Sequence, residues 1–557
     1  MAADITASVP ESPWWGWAPF TPGGVLPAGA RQVLAERLGI DPDVEIAPPP
    51  PPATAASVPE SSLGAEALGA LAAAAGSGTV SQDPADRVRH AAGKHTPDLL
   101  RQRAGTPLAF PDAVVSPGAR DEVAPILHAC SAHGIAVVPF GGGSSVVGGV
   151  TPLRGSHSAV IALDLTRLDA LISLNEVDRT ATFEAGIRGP ALERALADHG
   201  YTLGHIPQSH QQATLGGYAA TRSAGQASTG YGAIAELITA ITLETPRGQL
   251  ALGGRAPASA AGPDLKHLVI GSEGTLGVIT EVTVAIKPRV THKTYGAWAF
   301  PSFEAGAAAI RALAQDGGAG DLPDVCRLSD EEETELTLAQ TDGAAVRLLR
   351  RWLRARGIET PALLLGVWEG TGSDTKRRHK RAVRILKSHG GVSATTAPAE
   401  AWDRGRFGSP RLRDELLTIG VMVDTLETAA TWTKLAETHT RVAEAIRSAL
   451  AAGPGGAETR PAAVQGHISH VYRDGASLYY TFIAGAEADP IAQYDRVKAA
   501  ANAAILAAGA TITHHHAVGT EHAAMLPAEI GPLGVNVLRA VKHELDPAGI
   551  MNPGKLV

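Results

Sequence analysis

The sequence predicts an α+β fold in two main parts, and three observations support this prediction. Between Ala109 and Pro288, short β-prone runs alternate with helical stretches. From about Val290 to Ala510 the helical patterns are longer, and strand-like segments lie between them. Three glycine-rich segments fall within the first part. We therefore expect one α+β domain with several glycine-rich loops, followed by a second α+β domain.

Size and composition exclude several classes of protein. With 557 residues, 44% of them hydrophobic, the chain is long enough for roughly two to four domains with substantial cores. A net charge of −8 provides no overall positive potential that would attract nucleic acid, so a nucleic-acid-binding protein is not expected. Cys130 and Cys326 cannot form a disulfide framework, and the first residues lack the basic and apolar stretches of a signal peptide. We expect a cytoplasmic protein, and peripheral contact with a membrane stays open.

Composition divides the chain into four segments. Residues 1–95 are predicted as an N-terminal extension, residues 96–290 as the first domain, residues 291–510 as the second domain, and residues 511–557 as a C-terminal segment that completes the site. The extension contains a proline run, Pro48–Pro52, which can form neither helix nor sheet and is predicted to be a linker. Its tryptophan cluster, Pro13–Trp17, is predicted to anchor the extension to the body of the protein.

Hydrophobic periodicity predicts the individual elements. In the first domain we predict strands at Ala113–Val115, Ile135–Val138, Ala159–Leu163, Thr180–Phe183 and Ile238–Thr245, and helices at Glu122–His133 and Gly189–His199. In the second domain we predict helices at Phe303–Gln315, Thr375–His389 and Thr431–Ala451, and strands at Ala362–Val367 and Leu478–Ile483. The last helix is predicted at Leu533–Leu545, followed by the coil Asp546–Lys555.

The first glycine-rich segment follows a predicted buried strand and comprises Pro139, Phe140, Gly141, Gly142, Gly143, Ser144 and Ser145. Successive glycines permit positive φ angles, so their N–H groups can turn inward and hold phosphate oxygens. Taken alone, the motif is more typical of a tight turn after a strand than of a phosphate-binding loop. The second segment, Pro207–Gly217, continues into Thr221–Gly225, and the third is Gly271–Thr280. Three such segments in one domain indicate a long ligand that is held at several points.

The spacing of these segments resembles the FAD-binding domain of the vanillyl-alcohol-oxidase and p-cresol-methylhydroxylase flavoprotein superfamily. The resemblance covers nearly all of residues 100–290 and implies noncovalent FAD, with the pyrophosphate on the first loop and the flavin ring and ribityl chain on the other two. It also implies a two-part FAD-binding domain with an α+β cap domain that binds substrate. The implied cofactor-binding residues are Pro139 to Ser145, Gln208, Ser209, His210, Ala213, Thr214, Thr221, Arg222, Ser223, Ala224, Glu273, Gly274, Thr275, Leu276, Gly277, Val278 and Ile279.

Three consecutive histidines, His514, His515 and His516, are the most informative feature of the second half. Neighbouring side chains diverge in both strands and helices, so we expect at most two of the rings to face one site. A polar turn or a metal cluster would also explain the triplet. Metal-dependent dehydrogenases of the D-lactate type within the superfamily have Gly-His-x-Gly-Asp-Gly-Asn-x-His and, later, Glu-His-Gly. This chain has His515 in place of the glutamate and Tyr479 in place of the second histidine, so we expect no metal.

The altered pattern resembles the alkyldihydroxyacetonephosphate synthase family, in which a strand tyrosine precedes His-His-His-x-Val-Gly. Tyr479 and His514 stand in that relation. Arg327 lies in a segment that resembles the one carrying an arginine important for activity in the family. Arg413 lies in a segment that resembles the one whose arginine binds the substrate. The Trp-Trp-Gly-Trp sequence and the segment His90–Leu99 are also similar. The chain departs from the family at Gln208–Gln212 and at Ala517, where the family has glycine.

The resemblance implies a reaction of ether-lipid formation. The acyl group of an acyl-dihydroxyacetonephosphate is exchanged for a long-chain alcohol, with FAD as a covalent catalyst and no net redox change. Tyr479 would be the acid/base, Arg413 would bind the phosphate, the three histidines would polarise or shuttle a proton, and Arg327 would link the cap domain to the flavin. We expect a lipid substrate and a homodimer. An FAD-dependent oxidase or dehydrogenase of a hydroxy acid or alcohol, and a non-catalytic flavin-binding protein, are the alternatives.

Overall fold

The computed structural model describes residues 4–7, 11–17, 26, 28–41, 57–106, 108–316, 321–340, 343–453 and 461–557. The predicted proline linker Pro48–Pro52 lies outside the described residues.

The first domain contains short helices and three sheets. Its helices, with those that precede it, are α1 (Ala28–Leu38), α2 (Ala65–Ala75), α3 (Pro84–Arg89), α4 (Thr96–Ala104), α5 (Val123–His133), α6 (Gly189–Ala197), α7 (Leu215–Thr221), α8 (Ser228–Tyr231), α9 (Ile234–Leu237) and α10 (Lys266–Val269). Its strands are β1 (Thr79–Ser81), β2 (Ala113–Ser116), β3 (Ile135–Phe140), β4 (Ala159–Asp164), β5 (Leu171–Asn175), β6 (Thr180–Glu184), β7 (Tyr201–Thr202), β8 (Ile238–Thr245), β9 (Gly248–Gly253), β10 (Val278–Ala285) and β11 (Lys287–Pro288).

A four-stranded sheet of order β1-β2-β4-β3 carries the first glycine-rich loop at the end of β3. β2, β4 and β3 run parallel, β1 is antiparallel to β2, and α2 and α5 cover a core that includes Leu71 and Ile126. The alanine-rich α2 packs its apolar face against this core, because that face would otherwise be exposed to water. Part of the segment predicted as an extension, residues 63–81, therefore belongs to this domain. A five-stranded antiparallel sheet, β5-β6-β10-β8-β9, forms the second half of the domain.

The cap domain is a seven-stranded antiparallel sheet of order β15-β12-β14-β13-β17-β18-β16. Its strands are β12 (His292–Phe300), β13 (Val325–Ser329), β14 (Ala362–Gly370), β15 (Val392–Ser393), β16 (Val421–Thr431), β17 (Ala462–Val471) and β18 (Gly475–Gly485). Its helices are α11 (Phe303–Gln315), α12 (Glu331–Gln340), α13 (Ala344–Arg354), α14 (Gly372–Ser388), α15 (Ala397–Gly405), α16 (Ser409–Thr418), α17 (Trp432–Ala451) and α18 (Pro490–Ala508). One core, which includes Trp368 and Phe482, joins the sheet to the helices.

The elements predicted from periodicity are present, and their ends differ by a few residues. The helix predicted from Thr431 begins at Trp432, because Thr431 is in the extended conformation that precedes a helix. The last helix, α19 (Leu526–Leu545), begins seven residues before the predicted start. It is kinked at Gly531, where φ is 76°, immediately before Pro532, so the regular pattern was recognised only after the kink.

The C-terminal segment returns to the first domain, as predicted. The Val137 N–H donates to the Ile550 carbonyl at 2.8 Å, and the Asn552 N–H donates to the Val137 carbonyl at 2.8 Å. Ile550 and Met551 are fully buried in the core of the four-stranded sheet. In the tryptophan cluster, Trp15 and Trp17 are buried, 8% and 9% exposed. No helix in the described part of the chain has both the length and the apolar composition that a membrane span requires.

Candidate active site

The three glycine-rich segments meet at the end of β3. A Cβ atom on Gly142 would lie 1.9 Å from the Gln212 carbonyl oxygen, and one on Gly141 would lie 2.4 Å from Thr214 Oγ1. A Cβ on Gly274, which has a φ of +74°, would lie 2.9 Å from Pro139 Cγ. The first segment thus contacts both the second and the third, and these positions leave no room for a side chain.

The first loop has the free donors that a pyrophosphate needs. Among the described residues, none accepts a hydrogen bond from the backbone N–H groups of Gly141, Gly142, Gly143 or Ser144. Gly143 has a φ of +60°, which turns successive N–H groups toward one side of the loop. The residues present therefore fit the phosphate groups of a dinucleotide cofactor.

Several predicted cofactor residues hold these segments in place through other contacts. The Thr214 hydroxyl accepts from the Gly217 N–H at the start of α7, and His210 Nε2 lies 2.8 Å from the Ile5 carbonyl oxygen. Gln208 Nε2 donates to the Arg406 carbonyl in the cap domain at 2.8 Å. The side chains of Ala213, Leu276, Val278 and Ile279 are buried in the hydrophobic cores, so these residues can meet a cofactor only through their backbone. Phe140, Ser145, Ser209, Thr221, Arg222, Ser223, Ala224, Thr275 and Gly277 also lie on the converging segments.

Glu427 organises the histidine triplet and was not identified from the sequence. This β16 carboxylate, 1% exposed, accepts hydrogen bonds from the backbone N–H groups of His514, His515 and His516 at 2.7, 3.2 and 2.9 Å. The Thr513 hydroxyl donates to it at 2.7 Å. These donors and the neighbouring imidazoles keep the pKa of Glu427 far below its usual value, although burial opposes this shift. Glu427 is therefore ionised, and its carboxylate holds the histidine loop in position.

Tyr479 lies on β18 directly between Glu427 of β16 and His467 of β17 in the sheet register. Its ring stacks on His467 at 5.0 Å and on His515 at 6.0 Å between centroids, and the His516 ring is edge-on at 5.6 Å. Two rings of the triplet thus surround the phenol, in agreement with the expectation that at most two face one site.

The third ring of the triplet, His514, contacts His515, with their Nδ1 atoms 3.0 Å apart, and its other side faces Tyr472 and His470. His514 Nε2 lies 2.6 Å from the Tyr472 hydroxyl, and the His514 ring stacks on His470 at 5.0 Å. Nitrogens of His470, His514 and His515 lie within 4.8 Å of one another, a spacing that a metal ion could use. The expectation that the site works without a metal therefore stays a prediction.

The imidazoles of the site are neutral at neutral pH. Burial lowers the pKa values of His514, His515 and His516 to about 4 in each case, and the Glu427 anion only partly opposes this effect. Burial likewise raises the pKa of Tyr479, although a Thr425 hydrogen bond and the Arg413 charge act in the opposite direction. The resting site therefore holds a protonated phenol beside neutral rings that can accept a proton.

The two predicted arginines lie on opposite sides of this group. Arg327 Nη2 donates to Glu333 Oε1 at 2.5 Å, and its Nη1 lies 2.9 Å from His467 Nε2, so Arg327 positions the ring that stacks on Tyr479. Arg413 lies on α16, with Nη1 3.4 Å from the Thr96 hydroxyl and 4.0 Å from Asp424 Oδ1. The structure therefore brings every predicted catalytic residue to one buried region.

Glu273 connects this region to the glycine-rich segments. Its carboxylate accepts from the Val518 N–H at 2.8 Å and the Gly519 N–H at 2.7 Å, immediately after the histidines. Asn552 Nδ2 donates to the carbonyl oxygens of Glu273 and Gly149. The histidine loop is therefore held at one end by the cap domain and at the other by the first domain.

Ala517 departs from the family pattern at a position that favours glycine. Its φ is +76°, a region that costs a residue with a Cβ about 1–2 kcal/mol. After the backbone entropy of glycine is subtracted, we expect Ala517→Gly to stabilise the protein by about 0.5–1 kcal/mol. Denaturant unfolding measures this change. Ala540→Gly, an exposed site inside α19, should instead destabilise it by about 1 kcal/mol, and equal destabilisation by both variants would contradict the account.

Comparison with known proteins agrees with this geometry. Residues 111–252 match the family model "FAD binding domain", and residues 289–556 match "FAD linked oxidases, C-terminal domain". The solved structure of p-cresol methylhydroxylase with substrate bound has the same fold, with a TM-score of 0.65, 15% identity, and coverage of 88% of this chain and 96% of that one. The predicted fold class and the FAD cofactor are confirmed.

Two relatives identify a narrower family. The alkyldihydroxyacetonephosphate synthase of Trypanosoma brucei brucei is 32% identical over 484 residues, which cover 85% of this chain and 77% of that protein. A solved alkyldihydroxyacetonephosphate synthase structure superposes with a TM-score of 0.81 and 26% identity, over 97% of this chain and 98% of that one. At this identity and coverage, the chain belongs to the alkyldihydroxyacetonephosphate synthase family.

Proposed function

We propose that this protein exchanges the acyl group of an acyl-dihydroxyacetonephosphate for a long-chain alcohol. The observation that carries the proposal is the buried group formed by Tyr479, His515 and His516, with the positive charge of Arg413 close enough to oppose the rise in the tyrosine pKa that burial causes. This arrangement combines a proton donor, proton acceptors and an anion-binding group at one place.

The residues divide the work of the exchange. An imidazole of the pair His515 and His516 takes the proton of Tyr479, and the phenolate removes a proton from the carbon next to the substrate ketone. The fatty acid leaves as a carboxylate and the alcohol oxygen bonds to that carbon, so one carbon–oxygen bond breaks and one forms. Tyr479 then returns the proton to the carbon and recovers its own proton from the imidazole. The alcohol proton ends in the medium with the carboxylate, and no electrons are gained or lost. Arg413 holds the phosphate, and Arg327 keeps His467 against Tyr479.

FAD, held noncovalently by the glycine-rich loops, supplies covalent catalysis at the substrate carbon when it is bound. The free N–H groups of Gly141 to Ser144 would hold its pyrophosphate. The converging segments around Gln208 to Thr214, Thr221 to Ala224 and Glu273 to Ile279 would surround its ribityl chain and ring.

A direct assay separates this proposal from a flavin oxidase or dehydrogenase. Purified yellow protein should convert acyl-dihydroxyacetonephosphate and a radiolabelled fatty alcohol into a labelled ether lipid and free fatty acid, in equal amounts. Sustained electron transfer from D-lactate, glycolate or a fatty alcohol to an acceptor, with no ether product, would overturn it. A protein that binds FAD and does neither would support the non-catalytic alternative.

Two surface features support further proposals on location and assembly. On α13, Leu348 is 68% exposed beside the exposed Arg347 and Arg351. This combination of an apolar and two basic side chains favours contact with an anionic lipid surface. We propose that the protein is cytoplasmic and binds membranes peripherally. On α19, Leu533 and Val537 form an exposed apolar stripe, 76% and 54% exposed, which supports the proposed homodimer.

A further inference from the structure

A group of buried charges lies beside the catalytic rings, on the side of Arg413. It comprises Lys94, Arg103, Arg413 and Asp414, and Lys94 is only 6% exposed. Arg103 Nη2 lies 3.7 Å from Asp414 Oδ1, and the charges of Lys94 and Arg413 also act on Asp414. Three cations thus lie around Asp414. A second carboxylate, Asp424, lies 4.0 Å from Arg413 Nη1 and is shared with the ammonium of Lys498, 3.3 Å away.

The donors of this group are not satisfied by the protein. Nε and Nη2 of Arg103, Nε and Nη2 of Arg413, and Nε1 of Trp14 are buried, and within the described part of the chain no acceptor makes a hydrogen bond to them. A buried donor without an acceptor is costly, and the cost is larger for a charged group. Five such donors beside excess positive charge therefore indicate an anionic acceptor that is not part of the chain.

The N-terminal tryptophan cluster covers these charges. Lys94 Nζ donates to the Pro13 carbonyl at 3.0 Å, the Trp17 N–H donates to Asp414 Oδ2 at 2.5 Å, and the Arg103 guanidinium lies 5.4 Å from the centroid of the Trp15 ring. The Lys94 N–H also donates to the Ser145 carbonyl at 2.6 Å, at the end of the first glycine-rich loop. The group is therefore enclosed between the N-terminal arm, α4, α16 and the FAD loop.

We propose that Lys94 and Arg103 join Arg413 in a single site for a phosphate monoester dianion. In the proposed function, on which this inference rests, the occupant is the phosphate of the acyl-dihydroxyacetonephosphate. Arg103 and Arg413 present guanidinium N–H pairs suited to phosphate oxygens. Lys94 adds a compact charge, and the tryptophan arm excludes water, which strengthens each contact. Lys94 and Arg103 thus select substrates that carry a phosphate.

Calorimetric titration of the FAD-loaded protein tests this site without reference to catalysis. The probes are inorganic phosphate and glycerol 3-phosphate. Arg103→Gln should weaken binding of both about 10-fold or more, because it removes a charge-assisted contact. Arg101→Gln, on the same helix but 39% exposed, should leave binding within about twofold. Equal binding by wild type and Arg103→Gln, or absence of binding by the wild type, would overturn the proposal.

A second variant and a kinetic readout keep the test decisive if Arg103→Gln does not fold. Arg103→Lys retains the charge but loses the planar fork, so it should raise the Kd for phosphate several-fold while FAD absorbance is unchanged. With the acyl substrate, these variants should raise KM with little change in kcat. Phosphate binding that depends on Arg103 in a protein without exchange activity would refute the proposed function and preserve the site. Exchange activity in the wild type, with a KM that the Arg103 variants leave unchanged, would refute the phosphate site and preserve the proposed function.

Discussion

Tyr479→Phe is expected to reduce acyl-for-alkyl exchange by about 10²–10⁴-fold, because it removes the hydroxyl that we propose passes a proton between His515 or His516 and the substrate carbon. The phenyl ring of the variant would still stack between His467 and His515, so the fold and FAD binding should be preserved. Initial rates with saturating substrates, together with the flavin absorbance of the purified variant, measure both effects.

Tyr480→Phe is the matched control for this substitution. Tyr480 is the next residue on β18, points to the opposite face, and donates its hydroxyl to the Thr438 carbonyl in the cap core. Loss of that hydrogen bond should cost about 1 kcal/mol of stability and leave the rate unchanged. If Tyr479→Phe retained full activity, one of the imidazoles would be the base and the assigned role of Tyr479 would be wrong.

Glu427→Gln is expected to have the second-largest effect and to act on both stability and activity. The amide group cannot accept from three backbone N–H groups and a hydroxyl, and its own NH₂ would face donors in a buried place. Each lost or opposed bond costs about 1–3 kcal/mol, so a destabilisation of about 2–4 kcal/mol is expected. The histidine loop should then lose its position against Tyr479, with at least a 10²-fold loss of exchange.

Unfolding in denaturant and exchange rates measured on the same preparation test this expectation. Glu437→Gln, an exposed glutamate of α17 that pairs with Arg441, should change stability by less than about 0.5 kcal/mol. A Glu427→Gln variant as stable and active as Glu437→Gln would show that the carboxylate does not organise the loop.

The cofactor loops were predictable because their signals are local. Gly141, Gly142 and Gly274 occur where a side chain would collide with a neighbouring segment, and such a restriction appears directly in the sequence as glycine. The helices of the cap domain could be predicted equally well, since a repeated apolar face is recognisable in any sequence window of ten or more residues.

The remaining parts of the site depend on contacts between distant segments. Glu427 is one of two acids in β16, and only the position of this strand beside the segment after residue 512 makes it the acceptor for three histidine N–H groups. Lys94 and Arg103 look like surface charges until the N-terminal arm covers them. The association of α2 and β1 with the first domain was hidden for the same reason, because β1 has only three residues.

The fate of oxygen in the exchange tests the central claim most directly. With a long-chain alcohol labelled with ¹⁸O, mass spectrometry of the products should find the label entirely in the ether, and the released fatty acid should be unlabelled. This result follows if proton removal at the carbon next to the ketone lets the acid leave with both of its oxygens, as the arrangement of Tyr479, His515 and His516 requires. Label in the fatty acid or its alcohol ester, or flavin reduction without ether formation, would contradict the account.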